Sequence, residues 1–195
     1  MREQLNVEMS GEGEHVWLNI RKRGQTTLQV QKKLAQFAGV TLGSVSYAGL
    51  KDRHALTEQW FSIHLPGADA LNWQILNNDE IAVLSATRHS RKLRRQCMQA
   101  NYFLLTVRNI QGDKEYFEQQ MHRIARHGVP NYFGEQRFGI NDGNIAAAAR
   151  MGEGKLKIKD RFKRGIFLSA ARAFLFNRIL TRRVAAQTWN IPIPG

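Results

Sequence analysis

Residues 47–61 read YAGLKDRHALTEQWF; one predicted strand, SVSYAG, ends in this stretch and another, QWFSIHL, begins in it. The small residues and the glycine indicate a turn, which a lysine, an aspartate and two further basic residues follow. Aromatic residues stand on both sides of this cluster. Asp52 therefore lies at a strand end, where side chains project from a sheet edge into a cleft.

Asp52 has two interpretations on the residues alone. Lys51, Arg53 and His54 favour its ionised form and attract phosphate, so the carboxylate can act as a nucleophile or general base toward a nucleotide. In the alternative, Asp52 caps a turn while the bases pair with surface carboxylates such as Glu58. Capping is the commoner role of a loop aspartate, so the residues alone favour the turn.

The elements around this stretch indicate an α+β fold. Residues 14–22 (EHVWLNIRK) alternate between two faces, which predicts a half-buried strand with Trp17 on its outer face. A helix follows from an N-cap at Thr26 or Thr27 to Gly39. Further elements are strands over residues 80–86 and 101–108 and helices over residues 113–128, 146–151 and 169–187. Because they interleave without regular βαβ alternation, we expect a mixed or mainly antiparallel sheet with helices against it.

Two details of the second half of the chain are predicted from the same patterns. The helix over residues 113–128 carries Phe117, Met121 and Ile124 on one stripe, which we expect to face the core. The terminal residues 190–195 (NIPIPG) cannot be helical. They are interpreted as a linker or a cut end.

Charge is the main compositional signal. The chain has 29 Lys and Arg against 16 Asp and Glu, a net charge of +13. Nucleic acid is the commonest polyanion that uses such an excess; a solubilising surface, ribosome association and an anionic membrane surface are the alternatives. Residues 88–96 (RHSRKLRRQ) carry five Arg and Lys between two strands. We expect this segment to position RNA or DNA through phosphate contacts, rather than to be only a solvated face.

Several chemistries are excluded by missing motifs. A single cysteine and six histidines without metal-ligand spacing leave no predicted metal site. P-loop, GxGxxG, GxSxG and zinc-deaminase motifs are absent. No membrane-length apolar run or signal peptide is present, so the default location is cytoplasmic. Any chemistry must come from isolated residues that the fold assembles.

Residues 131–139 (NYFGEQRFG) form a second candidate site. The glycines let the backbone approach a ligand, an aromatic ring can stack on a base, and an amide can read a base edge or orient a carboxylate. Alternatively, Tyr132, Phe133 and Phe138 plug the core beside a tight turn. The residues alone leave both interpretations open.

The segments AGLKDRHALTEQ and GVPNYFGEQRFG together resemble the TruD family of tRNA pseudouridine synthases, the first its aspartate motif and the second its Asn-Tyr-Phe-Gly motif. GEGEHVWL, RHSRKLR and FLSAARAFLFN are similar to further family segments. The similarity runs in order along nearly the whole chain. It implies isomerisation of uridine to pseudouridine, typically at position 13 of tRNA, on a pseudouridine synthase α+β fold with a mainly antiparallel sheet.

The resemblance also implies roles for individual residues. Asp52 matches the family's nucleophile, Asn131 the asparagine that contacts substrate and helps to place that aspartate, and Phe133 the aromatic that packs against the target base. The residues expected to contact RNA are Lys51, Arg53, His89, Lys92, Arg94 and Arg137. The implied partner is tRNA, with no metal, cofactor or membrane, and the full-length protein is expected to be a cytoplasmic monomer.

The chain departs from the family in extent. Residues 1–187 are interpreted as a partial catalytic domain and residues 188–195 as a linker or cut end leading toward the family's inserted domain. The family's N-terminal basic motif and the C-terminal part of its catalytic domain are expected to be missing. The sequence therefore keeps an alternative open, a catalytically inactive RNA-binding module, and predicts weak stability for an incomplete sheet.

Overall fold

The structure, a computed structural model, describes residues 1–67 and 70–192. The chain divides into two compact units, Met1–Arg108 and a second that starts at Asn109. The strands are β1 (Arg2–Leu5), β2 (His15–Lys22), β3 (Val45–Tyr47), β4 (Thr57–His64), β5 (Ile81–His89) and β6 (Met98–Tyr102). The helices are α1 (Thr27–Phe37), α2 (Lys114–His127), α3 (Gly143–Gly152) and α4 (Arg161–Ala185). The domain bounds predicted from the sequence stay a prediction, and residues 193–195 of the predicted tail lie outside the described residues.

The six strands form one mainly antiparallel sheet in the first unit, ordered β5-β2-β4-β1-β6, with β3 also paired to β4. The pair β1–β4 is parallel, with Arg2 opposite Glu58. β3 pairs with the other end of β4, from Val45 opposite Ile63 to Tyr47 opposite Phe61. This mixed α+β architecture confirms the predicted fold class. Among the described residues, no helix has the length and apolar character needed to cross a bilayer.

β2 is half-buried as predicted, with Asn19 half-buried and Arg21 exposed on the outer face, except that Trp17 on that face is buried. On one face, Leu18 and Ile20 pack with α1 in the main core. On the other, Trp17 is fully buried with Leu93, a residue of the basic loop after β5. The sequence pattern did not predict this because the covering residue lies 76 positions away in the chain.

Helix α1 has the predicted ends. The hydroxyl of its N-cap Thr26 accepts a hydrogen bond from the backbone of Gln29, whose side chain accepts one from the Thr26 N–H, a complete capping box. Gly39 follows the helix with a positive φ of 66°, the conformation that glycine adopts at low cost.

Three predictions for later elements were wrong in part. β6 ends at Tyr102, opposite Arg2 at the start of β1, so residues 103–108 have no strand partner in the described sheet. Helix α4 begins at Arg161, eight residues earlier than predicted, because Asp160 caps it by accepting from the N–H groups of Phe162 and Lys163. Helix α2 has the predicted bounds, but its apolar stripe is not buried. The exposed fractions of Phe117, Met121 and Ile124 are 48%, 48% and 39%.

Candidate active site

The loop over residues 48–56 carries Asp52 between β3 and β4. The side chain is exposed, and its Oδ1 accepts a hydrogen bond of 2.9 Å from the backbone N–H of His54. One carboxylate oxygen thus closes a local turn, as the capping interpretation predicted. Because the group remains open to solvent, capping does not prevent it from meeting a substrate.

Lys22, at the end of β2, holds this loop through hydrogen bonds from its buried side chain. Its side chain is fully buried, and its Nζ donates hydrogen bonds to the backbone oxygens of Gln25 at 2.8 Å and Asp52 at 3.1 Å. Burial lowers the pKa of Lys22, and this lowering is opposed by the Asp52 carboxylate and reinforced by Lys51. The loop that carries the carboxylate is therefore fixed to a buried cation.

Two buried polar side chains hold the loop backbone from neighbouring elements. Thr27 of α1 accepts a hydrogen bond of 2.9 Å from the Lys51 N–H and donates one of 3.0 Å to the Gln59 side chain. The Gln59 amide in turn donates to the Gly49 oxygen at 2.7 Å. Sequence reasoning missed Lys22, Thr27 and Gln59; the available signal was that polar residues occupy positions facing an otherwise apolar interior.

Lys51 points into the first unit instead of toward solvent. Its Nζ lies 2.9 Å from a carboxylate oxygen of the fully buried Glu3 side chain and donates to the Asn101 side chain at 2.9 Å. The other Glu3 oxygen accepts from the Trp60 N–H at 2.7 Å. Only 10% of the Lys51 side chain is exposed. Its ammonium therefore belongs to a buried polar network that joins β1, β4 and β6, and is not free at the surface. Its neighbour Arg53 is exposed and donates to the Gly24 oxygen.

The basic loop after β5, residues 90–97, is anchored by its one buried residue. Leu93 packs on Trp17, its N–H donates to the Ser62 hydroxyl at 2.9 Å, and the Trp17 indole donates to the Arg91 oxygen at 2.8 Å. Lys92 and Arg94 flank Leu93 and are exposed. The anchor therefore presents both predicted RNA-binding side chains to solvent.

His89 lies at the base of the same loop but is only 6% exposed. Its ring is 4.4 Å from the Trp17 ring, and its Nδ1 is 3.2 Å from the Ser10 hydroxyl. The imidazole thus packs inside the first unit, where it supports the loop.

Acidification from about pH 7.5 to about pH 5.5 is expected to lower the free energy of unfolding of the first unit. Burial lowers the pKa of both His15 and His89 from the ordinary 6.5; His64 adds to the effect on His15 and Arg91 to that on His89. Near and below pH 6.5 the unfolded chain therefore binds more protons than the folded chain, so stability decreases as the pH decreases. Urea unfolding at the two pH values measures the effect, and His89→Gln should reduce it. Equal stability at both values would contradict the assignment.

In the second unit, helix α4 holds the loop that contains Phe133. The Asn177 amide oxygen accepts from the Phe133 N–H at 3.0 Å, and its amide N–H donates to the Phe133 oxygen at 2.9 Å. The Phe133 ring meets the Phe176 ring edge-on at 5.5 Å, and the Arg137 guanidinium lies 5.3 Å from the Phe133 ring centre. Phe133 is 39% exposed, so it does not act as a core plug.

A cavity of about 410 Å³ opens beside this ring. Its lining residues are Asn131, Phe133, Ser169, Arg172, Ala173 and Phe176. The structure therefore brings together the predicted substrate-binding pair, Asn131 and Phe133, and adds a cationic residue, Arg172, that sequence reasoning missed. Across the described ranges, no group of three or more His, Cys, Asp or Glu side chains is arranged to hold a metal ion.

Comparisons with known proteins agree with the sheet and the motifs. The sequence profile of tRNA pseudouridine synthase D (TruD) matches residues 1–157. tRNA pseudouridine synthase D of Nitrosococcus oceani is 48% identical over 194 residues, covering 99% of this chain and 54% of the relative. That of Cellvibrio japonicus is 47% identical over 197 residues, covering 99% and 59%. A crystal structure from Methanosarcina mazei assigned to tRNA pseudouridine synthase D matches with a TM-score of 0.61 and 30% identity, over 79% of this chain and 36% of that chain.

The α+β architecture is accordingly that of a pseudouridine synthase. By sequence the chain belongs to the tRNA pseudouridine synthase D (TruD) family. It spans about half the length of the curated relatives it matches.

Proposed function

We propose that this protein isomerises uridine to pseudouridine in tRNA, at position 13, with Asp52 as the nucleophile. The observation that carries the proposal is the Asp52 loop, where an exposed carboxylate stands on a backbone fixed by Lys22, Thr27 and Gln59. Such a support keeps the reacting group in one geometry without covering it. Membership of the TruD family supplies the reaction class and the tRNA substrate.

The chemistry starts with access to the base. A uridine stacked in folded RNA must be flipped out before a side chain can reach it. Lys92 and Arg94 hold the RNA backbone, and the exposed face of Phe133 replaces part of the lost stacking. Asn131, on the same cavity as Phe133, contacts the extruded nucleotide.

Asp52 then acts by one of three routes: attack at C1′ of the ribose, attack at C6 of the base, or removal of a ribose proton. In each, the bond between N1 and C1′ breaks, the uracil turns in the pocket, and a bond forms between C5 and C1′. The C5 proton leaves and N1 gains one. Any bond that Asp52 formed to C1′ or C6 breaks again, or the ribose proton that it removed returns, so the carboxylate is regenerated and product and substrate have the same atoms. The reaction consumes no co-reactant.

The other predicted RNA-binding residues divide by exposure. Arg53 is exposed and is proposed to contact phosphate directly, and Arg137 to orient the Phe133 ring. Lys51 and His89 are proposed to act through the loops that they hold in place.

Incubation of the chain with unmodified tRNA tests the proposal. Pseudouridine is mapped by carbodiimide treatment and primer extension, and we expect a stop that reports one modified uridine, at position 13. Tight tRNA binding with no modified uridine would contradict the enzyme assignment and support an RNA-binding module without catalysis.

Phe133→Leu is expected to lower kcat/KM for pseudouridine formation by about 10- to 100-fold, since stacking on a base is worth about 1–3 kcal/mol. Leucine keeps the apolar contact with Phe176 but has no aromatic face. Phe133→Tyr keeps both and should remain within about threefold of wild type. Initial rates on one tRNA compare the three proteins. Equal rates for the leucine and tyrosine variants would exclude stacking by this ring.

A further inference from the structure

Residues 155–164 (KLKIKDRFKR) run from the connection after α3 into the first turn of α4 in the second unit, and carry six Lys and Arg with a single acidic residue, Asp160. This segment is separate in sequence from the basic loop of the first unit. The second unit as a whole holds fifteen Lys and Arg against seven Asp and Glu. The segment is therefore the densest positive stretch of the more positive unit.

Exposure alternates along the first half of the segment. Lys155, Lys157 and Lys159 are exposed, whereas Leu156 and Ile158 between them are half-buried. These two apolar residues line a cavity of about 240 Å³ in the second unit, together with Met151, Lys157 and Arg164. The three exposed lysines at alternate positions are here named the lysine row.

The cations of this segment are poorly neutralised by the chain itself. Among the described residues, their one ion pair joins Lys155 to Glu153 at 2.8 Å. The Asp160 carboxylate is engaged in capping α4, so it occupies the N–H groups of the helix start, and the helix terminus itself is not the binding site. The first turn of α4 contains no acidic residue and carries Arg161, Lys163 and Arg164.

This arrangement disfavours stability. A cation in the first turn opposes the helix dipole and so lowers the stability of the helix. The like charges along the lysine row repel one another, which also lowers stability. An external anion with several charges would relieve both effects, which favours a polyanionic partner.

We propose that the lysine row, with Arg161, Lys163 and Arg164, binds the phosphate backbone of tRNA as a second positioning surface. The proposal rests on the tRNA substrate of the proposed function. RNA fits because several phosphates in series release their counterions when lysines neutralise them. A lipid surface fits less well, since Leu156 and Ile158 are half-buried and Phe162 is the one largely exposed apolar residue of this segment.

The test compares two triple variants of equal net charge. Lys155→Gln/Lys157→Gln/Lys159→Gln removes the lysine row, and Lys32→Gln/Lys33→Gln/Lys114→Gln removes three other exposed lysines. The Kd for tRNA is measured between about 50 and 200 mM salt. The row variant should bind about 10- to 100-fold more weakly, with the slope of log affinity against log salt reduced by about 2 to 3. The control should stay within about threefold, with a slope change below about 1.

The outcomes are separable from those of the proposed function. Equal affinities and slopes for the two variants would overturn the lysine row, whether or not the chain forms pseudouridine. Binding to vesicles of anionic phospholipid that needs the row, with unchanged tRNA affinity, would also overturn it. Conversely, a chain that binds tRNA through the row but modifies no uridine would refute the enzyme assignment alone. If the triple variant has a lower melting temperature than wild type, the three single variants replace it. Each should then lower the slope of log affinity against log salt by about 1.

Discussion

Asp52→Asn is expected to lower pseudouridine formation by at least about 10³-fold while tRNA affinity stays within about threefold of wild type. Asparagine has nearly the same shape as aspartate, and its Oδ1 can still accept the hydrogen bond from the His54 N–H. The substitution therefore keeps the turn but removes the charge that attacks the nucleotide or takes its proton. Single-turnover rates and filter binding on one tRNA measure the two quantities.

Asp79→Asn provides the matched control for this substitution. Asp79 is also an exposed loop aspartate of the first unit, so the change in net charge is the same. We expect it to leave both the rate and the affinity within about twofold, because surface substitutions away from a site have small effects. Modification that persists at the wild-type rate in Asp52→Asn and in Asp52→Ala would refute Asp52 as the nucleophile.

Lys22→Ala is expected to lower the free energy of unfolding of the first unit by about 2–4 kcal/mol. The substitution removes a fully buried side chain and leaves the backbone oxygens of Gln25 and Asp52 without their donor. Urea unfolding measures the loss through tryptophan fluorescence. In a Trp189→Phe background the signal reports only the first unit, which contains Trp17, Trp60 and Trp73.

Two further variants separate packing from hydrogen bonding at this position. Lys22→Met restores most of the volume but no donor, so we expect a loss between those of the alanine variant and wild type. Lys32→Ala removes an exposed lysine of α1 and should change stability by less than about 0.5 kcal/mol. A loss below about 1 kcal/mol in Lys22→Ala would show that the buried ammonium does not hold the loop.

The elements that sequence reasoning placed correctly depend on local information. Helix α1 follows from its apolar stripe together with the caps at Thr26 and Gly39, and β2 from its alternation. These signals lie within a few residues of the structure that they specify. The end of β6 was misplaced because it is set by where β1 starts, about 100 residues earlier in the chain.

In the candidate site too, the residues that local motifs identify were found, and those that depend on contacts between distant positions were missed. The motif around Asp52 and the pair Asn131 and Phe133 were found from short segments, and the structure places the latter pair on one cavity. The groups that fix the Asp52 loop were missed because each contact joins distant positions, such as Lys22 to the loop and Glu3 to Lys51. The alternation of β2 places Lys22 on the buried face, but no local pattern identifies the loop atoms to which it donates.

The way the Asp52 loop is held has a consequence for redesign. Lys22, Thr27 and Gln59 all bond to main-chain atoms of the loop, so its position depends little on the side chains that it displays. Exposed positions such as His54 are thus open to saturation mutagenesis aimed at new nucleic-acid targets. The Asp52 carboxylate would keep its position while the exposed side chains around it are changed.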